Sequence, residues 1–165
     1  MIVYLVRHGI AEEQSASGAD EDRRLTDAGR KRVKQIAAGL QRLGVSPSAI
    51  FASPLPRAAE TARLIAARLG AAPRLEIARR LQPAVADARS ARSLLADLAE
   101  ARSSEVMIVG HEPSLSAMIG DLAGRGTAVL FKKGGVCRID LQDAKAAGEL
   151  IWLLPPKVLA ALGRE

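Results

Sequence analysis

Cysteine is almost missing. Cys137 stands alone in a chain of 165 residues, so an internal disulfide is excluded. It lies in an apolar run and reads as a core residue, a pattern that suits a reducing compartment. Aromatic residues are as scarce, at 2% of the chain against 48% apolar residues in all. Leu, Ile, Val and Ala must therefore build the core, and a binding surface that stacks nucleic-acid bases has too few rings to work with. No apolar run is long enough to cross a membrane. The first one is short and interrupted by Arg7, which does not fit a signal peptide. The expected location is the cytoplasm. A Gly-x-Ser-x-Gly elbow and a P-loop are both absent, which sets aside the common serine-hydrolase and nucleotide-binding readings.

Histidine is rare too: only His8 and His111 occur. Without a third histidine or a cysteine pair a zinc site lacks ligands unless a carboxylate makes up the number, so no metal is expected. The net charge is +6, from 24 Lys plus Arg against 18 Asp plus Glu. That balance favours anionic partners. The basic residues are scattered among acids rather than gathered in a stripe, which argues against nucleic acid.

What is present is a regular alternation of strands and helices in one domain, residues 1–165. Ile2 to Val6 is a β-branched run that reads as a buried strand and stops at Arg7-His8-Gly9. Residues 10 to 25 are polar, with an acidic cluster at Glu12, Glu13, Asp20, Glu21 and Asp22, and form a loop over that strand end. Thr26 caps a helix from Asp27 to Leu43, whose apolar face is Val33, Ile36, Ala37, Leu40 and Leu43. Ala49 to Ala52 is a second strand, and Pro56 opens a helix that runs to Leu69 with Arg57 in its first turn. Arg74 to Ala78 is a short third strand. A helix from Ala91 to Ala101 buries Leu94, Leu95 and Leu98. The fourth strand, Glu105 to Val109, ends in Gly110-His111-Glu112-Pro113, and a helix carrying Leu115, Met118, Ile119 and Leu122 follows. Val136 to Leu141 and Glu149 to Leu154 make a closing hairpin, and a short helix ends the chain. The expectation is an α/β three-layer sandwich: a mainly parallel sheet of about six strands, helices on both faces, and an antiparallel edge.

Both histidines directly follow a strong strand. In a parallel sheet those ends share one edge, where ligands bind. Arg7 and Arg57 fall at the same edge. Two imidazoles and two guanidinium forks suit a dianionic phosphoryl group. A neutral imidazole attacks phosphorus, nearby cations keep it neutral, and the second imidazole donates to an equatorial oxygen. His8 stands at a strand end and is expected to face solvent.

Arg7-His8-Gly9, Leu25-Thr26-x-x-Gly29, Ser53-Pro54-x-x-Arg57-Ala58-x-x-Thr61-Ala62 and Gly110-His111-x-Pro113 resemble, in order and over most of the chain, the motifs of the histidine phosphatase superfamily. The short length and the Arg23-Arg24-Leu25-Thr26 segment look most like its SixA-type phosphohistidine phosphatases. The resemblance implies a phosphorylated intermediate on His8, with Arg7, Arg57 and His111 holding the transferring group and Gly9 as a structural residue. It implies no cofactor, and a phosphohistidine-bearing protein, such as a phosphorelay or phosphotransfer domain, as partner. Many members that cleave esters carry a general acid after the third strand. Here that place holds Gln82, with Asp87 further on. The SixA-type branch is similar in lacking the acid, which points away from alkyl esters. The other readings are a phosphomonoesterase or mutase acting on a small metabolite, and a weakly catalytic phosphate-binding module. The oligomeric state is left open.

Overall fold

The computed structural model describes residues 1–70, 74–99, 105–124, 129–143 and 146–164. Six strands form one sheet: β1 (Ile2–Arg7), β2 (Ala49–Ala52), β3 (Arg74–Ile77), β4 (Glu105–Gly110), β5 (Val136–Asp140) and β6 (Glu149–Leu154). Their spatial order is β3-β2-β4-β1-β5-β6. The first four are parallel, while β5 runs antiparallel to both β1 and β6, so the closing hairpin is the antiparallel edge. The helices are α1 (Asp27–Arg42), α2 (Pro56–Leu69), α3 (Ser90–Ala99), α4 (Ser114–Ala123) and α5 (Pro156–Leu162).

Strand residues alternate between two faces, and here both faces are covered. Val3, Leu5, Val106 and Ile108 pack with Leu94 and Leu95 of α3 and with Leu115, Met118 and Ile119 of α4. Tyr4, Val6, Met107 and Val109 pack with Val33, Ile36 and Leu40 of α1, Ile65 of α2 and Leu159 of α5. This double cover is why β1 and β4 are unbroken apolar runs. Cys137 is buried in the first of these cores. α1 begins as its sequence implies: the Thr26 hydroxyl accepts from the Gly29 amide at 2.9 Å. Its end differs from expectation. The helix stops at Arg42, so Leu43 turns off the apolar face and is 45% exposed. The side chain of Leu98 and the extension of α3 to Ala101 lie outside the described residues.

Candidate active site

The sheet register assembles the site. In the β1–β4 pair Arg7 is level with Gly110, so His8 and His111 are the next residues on adjacent parallel strands. The His8 amide donates to Gly110 O at 3.1 Å, and the Ser53 amide donates to Val109 O at 3.0 Å, which brings the end of β2 to the same level. The two imidazole centroids lie 5.0 Å apart. Arg57, the second residue of α2, follows four positions after Ser53. All four predicted residues, His8, Arg7, Arg57 and His111, are thus brought together at one edge, and both arginines act electrostatically on both imidazoles.

His8 does not face solvent as expected. It is only 5% exposed, because the segments after β1 and before β5 close over the strand end. The Gly134 amide donates to the carbonyls of both Arg7 and His8 at 3.0 Å. Gly9 is required by packing: a Cβ there would lie 2.6 Å from Val33 Cγ2 and 3.2 Å from Leu25 Cδ2. Gly29 is required in the same way, since a Cβ would meet Ile10 O at 2.1 Å. These two glycines and Thr26 pin the segment after His8 to the start of α1.

Hydrogen bonds set the tautomers. Nδ1 of His8 lies 2.8 Å from Gly9 O, which can only accept, so Nδ1 carries the proton and the Nε2 lone pair is free. The Ser53 hydroxyl accepts from the Leu55 amide at 3.4 Å and lies 2.8 Å from His111 Nε2. Among the described residues it has no other acceptor. Its proton therefore goes to Nε2, which leaves the proton of the His111 ring on Nδ1. Burial, with Arg57 and Arg7 in support, lowers the His8 pKa to about 4. Burial, then His8 and Arg57, lowers that of His111 to about 3. Both rings are neutral at physiological pH, one offering a lone pair and the other an N–H.

Among the described residues Arg7 Nε, Arg57 Nε and His111 Nδ1 are buried without a partner, as is Nε of Arg23, which shares Asp20 with Arg57. Buried donors are seldom left unpaired in folded proteins. The remaining guanidinium contacts are made inside the protein. Arg7 Nη1 donates to Phe131 O at 2.6 Å. Arg57 donates through Nη1 to Asp20 O at 2.7 Å and through Nη2 to Asp20 Oδ2 at 2.9 Å. Thr61 braces the edge, accepting from the Gly9 amide at 3.1 Å and donating to Arg57 O at 2.7 Å.

Asp20 and the supporting role of Ser53 were not singled out in the sequence. Ser53 stood inside a quoted motif, so a signal existed. Asp20 was one of five acids in its loop, and nothing local distinguishes it. It sits in a 3-10 turn, Asp20–Asp22. Partial desolvation opposes ionisation there, but Arg57 and Arg23 outweigh it and hold the carboxyl below its ordinary value.

Of the residues that could bear on leaving-group protonation, Asp87 and Glu12 have carboxylate oxygens bonded elsewhere, and Gln82 is held through its backbone. Gln82 closes a 3-10 turn, and its carbonyl accepts from the amides of Val85 and Ala86. Asp87 Oδ1 accepts from the Arg89 amide and the Ser90 hydroxyl, which makes it a cap for α3. Glu12 Oε2 accepts from the Arg24 amide at 3.0 Å. Among the described residues none of the three bonds to either histidine. Nor does any group of three or more His, Cys, Asp or Glu side chains come together there as a metal-binding set.

Fold and edge together define an α/β protein with a buried, cationic, two-histidine site. The family model described as the histidine phosphatase superfamily (branch 1) matches residues 3–82. An uncharacterized protein of Picosynechococcus sp. is 34% identical over 169 residues, covering 96% of this chain and 99% of that one. The chain belongs to the histidine phosphatase superfamily, whose members are phosphatase hydrolases. Among solved structures, the protein histidine phosphatase SixA complexed with tungstate has a similar fold, with a TM-score of 0.87 at 24% identity over 96% of this chain and 99% of that one. The alpha-ribazole phosphatase from Shigella flexneri follows the same fold, with a TM-score of 0.70 at 20% identity over 94% of this chain and 97% of that one.

Proposed function

We propose that this protein is a cytoplasmic, metal-independent phosphatase of the SixA type, and that it removes the phosphoryl group from a phosphohistidine on a partner protein. His8 Nε2 attacks phosphorus, the P–N bond of the substrate breaks, and the partner's imidazole leaves. A water molecule then attacks phosphorus on His8, releasing inorganic phosphate and regenerating the neutral ring. Gly9 O, bonded to Nδ1–H, stabilises the positive charge that builds on His8 when Nε2 is phosphorylated. Arg7, Arg57 and His111 hold the equatorial oxygens.

The observation that carries this reading is the set of buried donors without a partner among the described residues, Arg7 Nε, Arg57 Nε and His111 Nδ1, at the same sheet edge as a histidine whose Nε2 lone pair is free. A phosphoryl group supplies the acceptors they lack. The choice of substrate rests on the leaving group. An alkoxide is strongly basic and needs a proton in the transition state, an assistance typically worth ~10²–10⁴-fold. An imidazole whose other nitrogen is protonated departs neutral. With Gln82 where an acid would stand, and with Asp87 and Glu12 bonded elsewhere, the site favours the second kind of substrate. A protein partner is supported by the surface beside the site. A cleft of about 600 Å³ runs along Pro54, Pro56 and Leu64, with Arg24 and Arg63 on its walls. Neither arginine makes a side-chain ion pair among the described residues, so both are available to an acidic surface.

The test is a comparison of kcat/KM on a phosphohistidine protein, phosphoserine and a sugar phosphate. The phosphohistidine value should exceed the others by at least ~10²-fold, the size of the missing proton transfer. Gln82→Glu should raise ester hydrolysis more than phosphohistidine hydrolysis. Equal rates on an alkyl ester in the wild type would refute the argument and favour a metabolite phosphatase. No turnover of any of them would leave a phosphate-binding module.

A further inference from the structure

The fork of Arg57 is already filled. Its two terminal nitrogens donate to the carbonyl and carboxylate oxygens of Asp20 at 2.7 and 2.9 Å, and the other carboxylate oxygen of Asp20 pairs with Arg23 Nη2 at 2.8 Å. The contrast in burial is large: the Arg57 side chain is 4% exposed and that of Asp20 is 66% exposed. A buried guanidinium without a counter-charge is strongly unfavourable, and the protein supplies Arg57 with an anion from its surface. Planar forks accept a carboxylate and a phosphate in the same manner. A phosphoryl group that took both the Nε and the Nη2 of Arg57 would need the place that Asp20 holds.

The segment bearing Asp20 is built to give way. Its 3-10 turn buries no residue and has no side-chain cap. It is fastened by exposed bonds, Ser15 to Ala19 O and Ser17 to Asp22 Oδ2, both 2.6 Å. Displacing it uncovers no core. The ends of the loop are, by contrast, fixed by the Ala11–Leu25 bridge and the Thr26 cap.

From this geometry, and on the reading of the edge as a phosphoryl site, we propose that Asp20 is a resident stand-in for the substrate's phosphoryl oxygens. It keeps the forks of Arg57 and Arg23 oriented in the empty enzyme, and it withdraws with its turn when the anion binds. It therefore acts as a positioning residue that sets how tightly the site holds phosphoryl groups, and it hastens release of the product phosphate.

Calorimetric titration of inorganic phosphate into wild type, Asp20→Asn, Asp20→Ala and Arg57→Ala tests this. Both Asp20 variants should bind phosphate roughly tenfold more tightly, the order expected when the anion no longer has to displace a partly exposed ion pair from the Arg57 fork. Product inhibition by phosphate should strengthen by the same factor, and KM should fall. Unchanged or weaker phosphate binding in the Asp20 variants, alongside binding in wild type that Arg57→Ala removes, overturns the stand-in role alone. Absence of any Arg57-dependent phosphate binding in wild type overturns the phosphoryl site itself, and the stand-in with it.

Discussion

Acid should weaken this fold earlier than its carboxylates would. The perturbation is a drop from pH 7 to pH 5. An unperturbed histidine titrates near 6.5, whereas His8 and His111 are held at about 4 and about 3. Between those limits the unfolded chain binds more protons than the folded one, so the unfolding free energy falls as the pH falls. At pH 5 linkage gives a loss of about 2 kcal/mol for each ring, or about 4 kcal/mol for the pair. That is a large part of the ~5–15 kcal/mol typical of a domain. The window is clean because the chain has only these two histidines. Carboxylates held low, Asp20 and Asp140, add their losses only as the pH falls through their own lowered range. Chemical denaturation at pH 7, 6 and 5 measures the slope, and a His8→Asn, His111→Asn double variant should flatten it. An imidazole NMR titration reports the rings directly. A ring that titrates near 6.5, or a wild-type midpoint that stays constant from pH 7 to 5, would refute the reasoning.

Three further outcomes follow from the proposed mechanism. His8→Asn should abolish turnover, and rapid acid-free quenching of the wild type should trap phosphate on His8; label found only on His111 would reverse their roles. Arg57→Ala should lower turnover on the order of 10²-fold or more, as for other preorganised charge-stabilising groups, and Arg57→Lys should not restore it because the planar fork is lost. Chelators should leave the rate unchanged, and inhibition by EDTA that a divalent ion reverses would place a metal in the mechanism.

Most of the frame was legible because β1 and β4 are buried on both faces and so are written as unbroken apolar runs. Each run ends in its histidine, and parallel pairing in register then sets the two rings side by side. Arg57 was legible because Pro56 fixes where α2 begins. Three features were not. Leu43 continues the apolar spacing of α1, but the helix ends one residue earlier, and no local signal separates a last helical turn from a cap. The burial of His8 comes from Gly134 and its neighbours, some 126 positions away in sequence. The role of Asp20 depends on a contact 37 positions away, and Glu21 and Asp22 beside it carry the same charge with none of the consequence.

The groups that the proposed mechanism relies on are also costly to the fold. Two imidazoles and a guanidinium are taken out of water, and Arg57 Nε and His111 Nδ1 have no partner among the described residues. Burial alone would favour losing charge there, and it keeps both histidines neutral, as a nucleophile and a donor need to be. The arginines cannot lose theirs. Their charge is met partly by the Phe131 carbonyl, partly by Asp20, and otherwise by nothing within the described protein. Such an edge is complementary to an incoming dianion before that dianion arrives, which is the form of preorganisation that lowers a barrier rather than merely binding substrate. On the proposed mechanism, proton donation to the leaving group is the catalytic element for which no residue is placed among the described residues. A phosphoramidate needs that element least, and it is the leaving group, not the charge of the site, that favours it as the proposed substrate over other dianionic phosphoryl compounds.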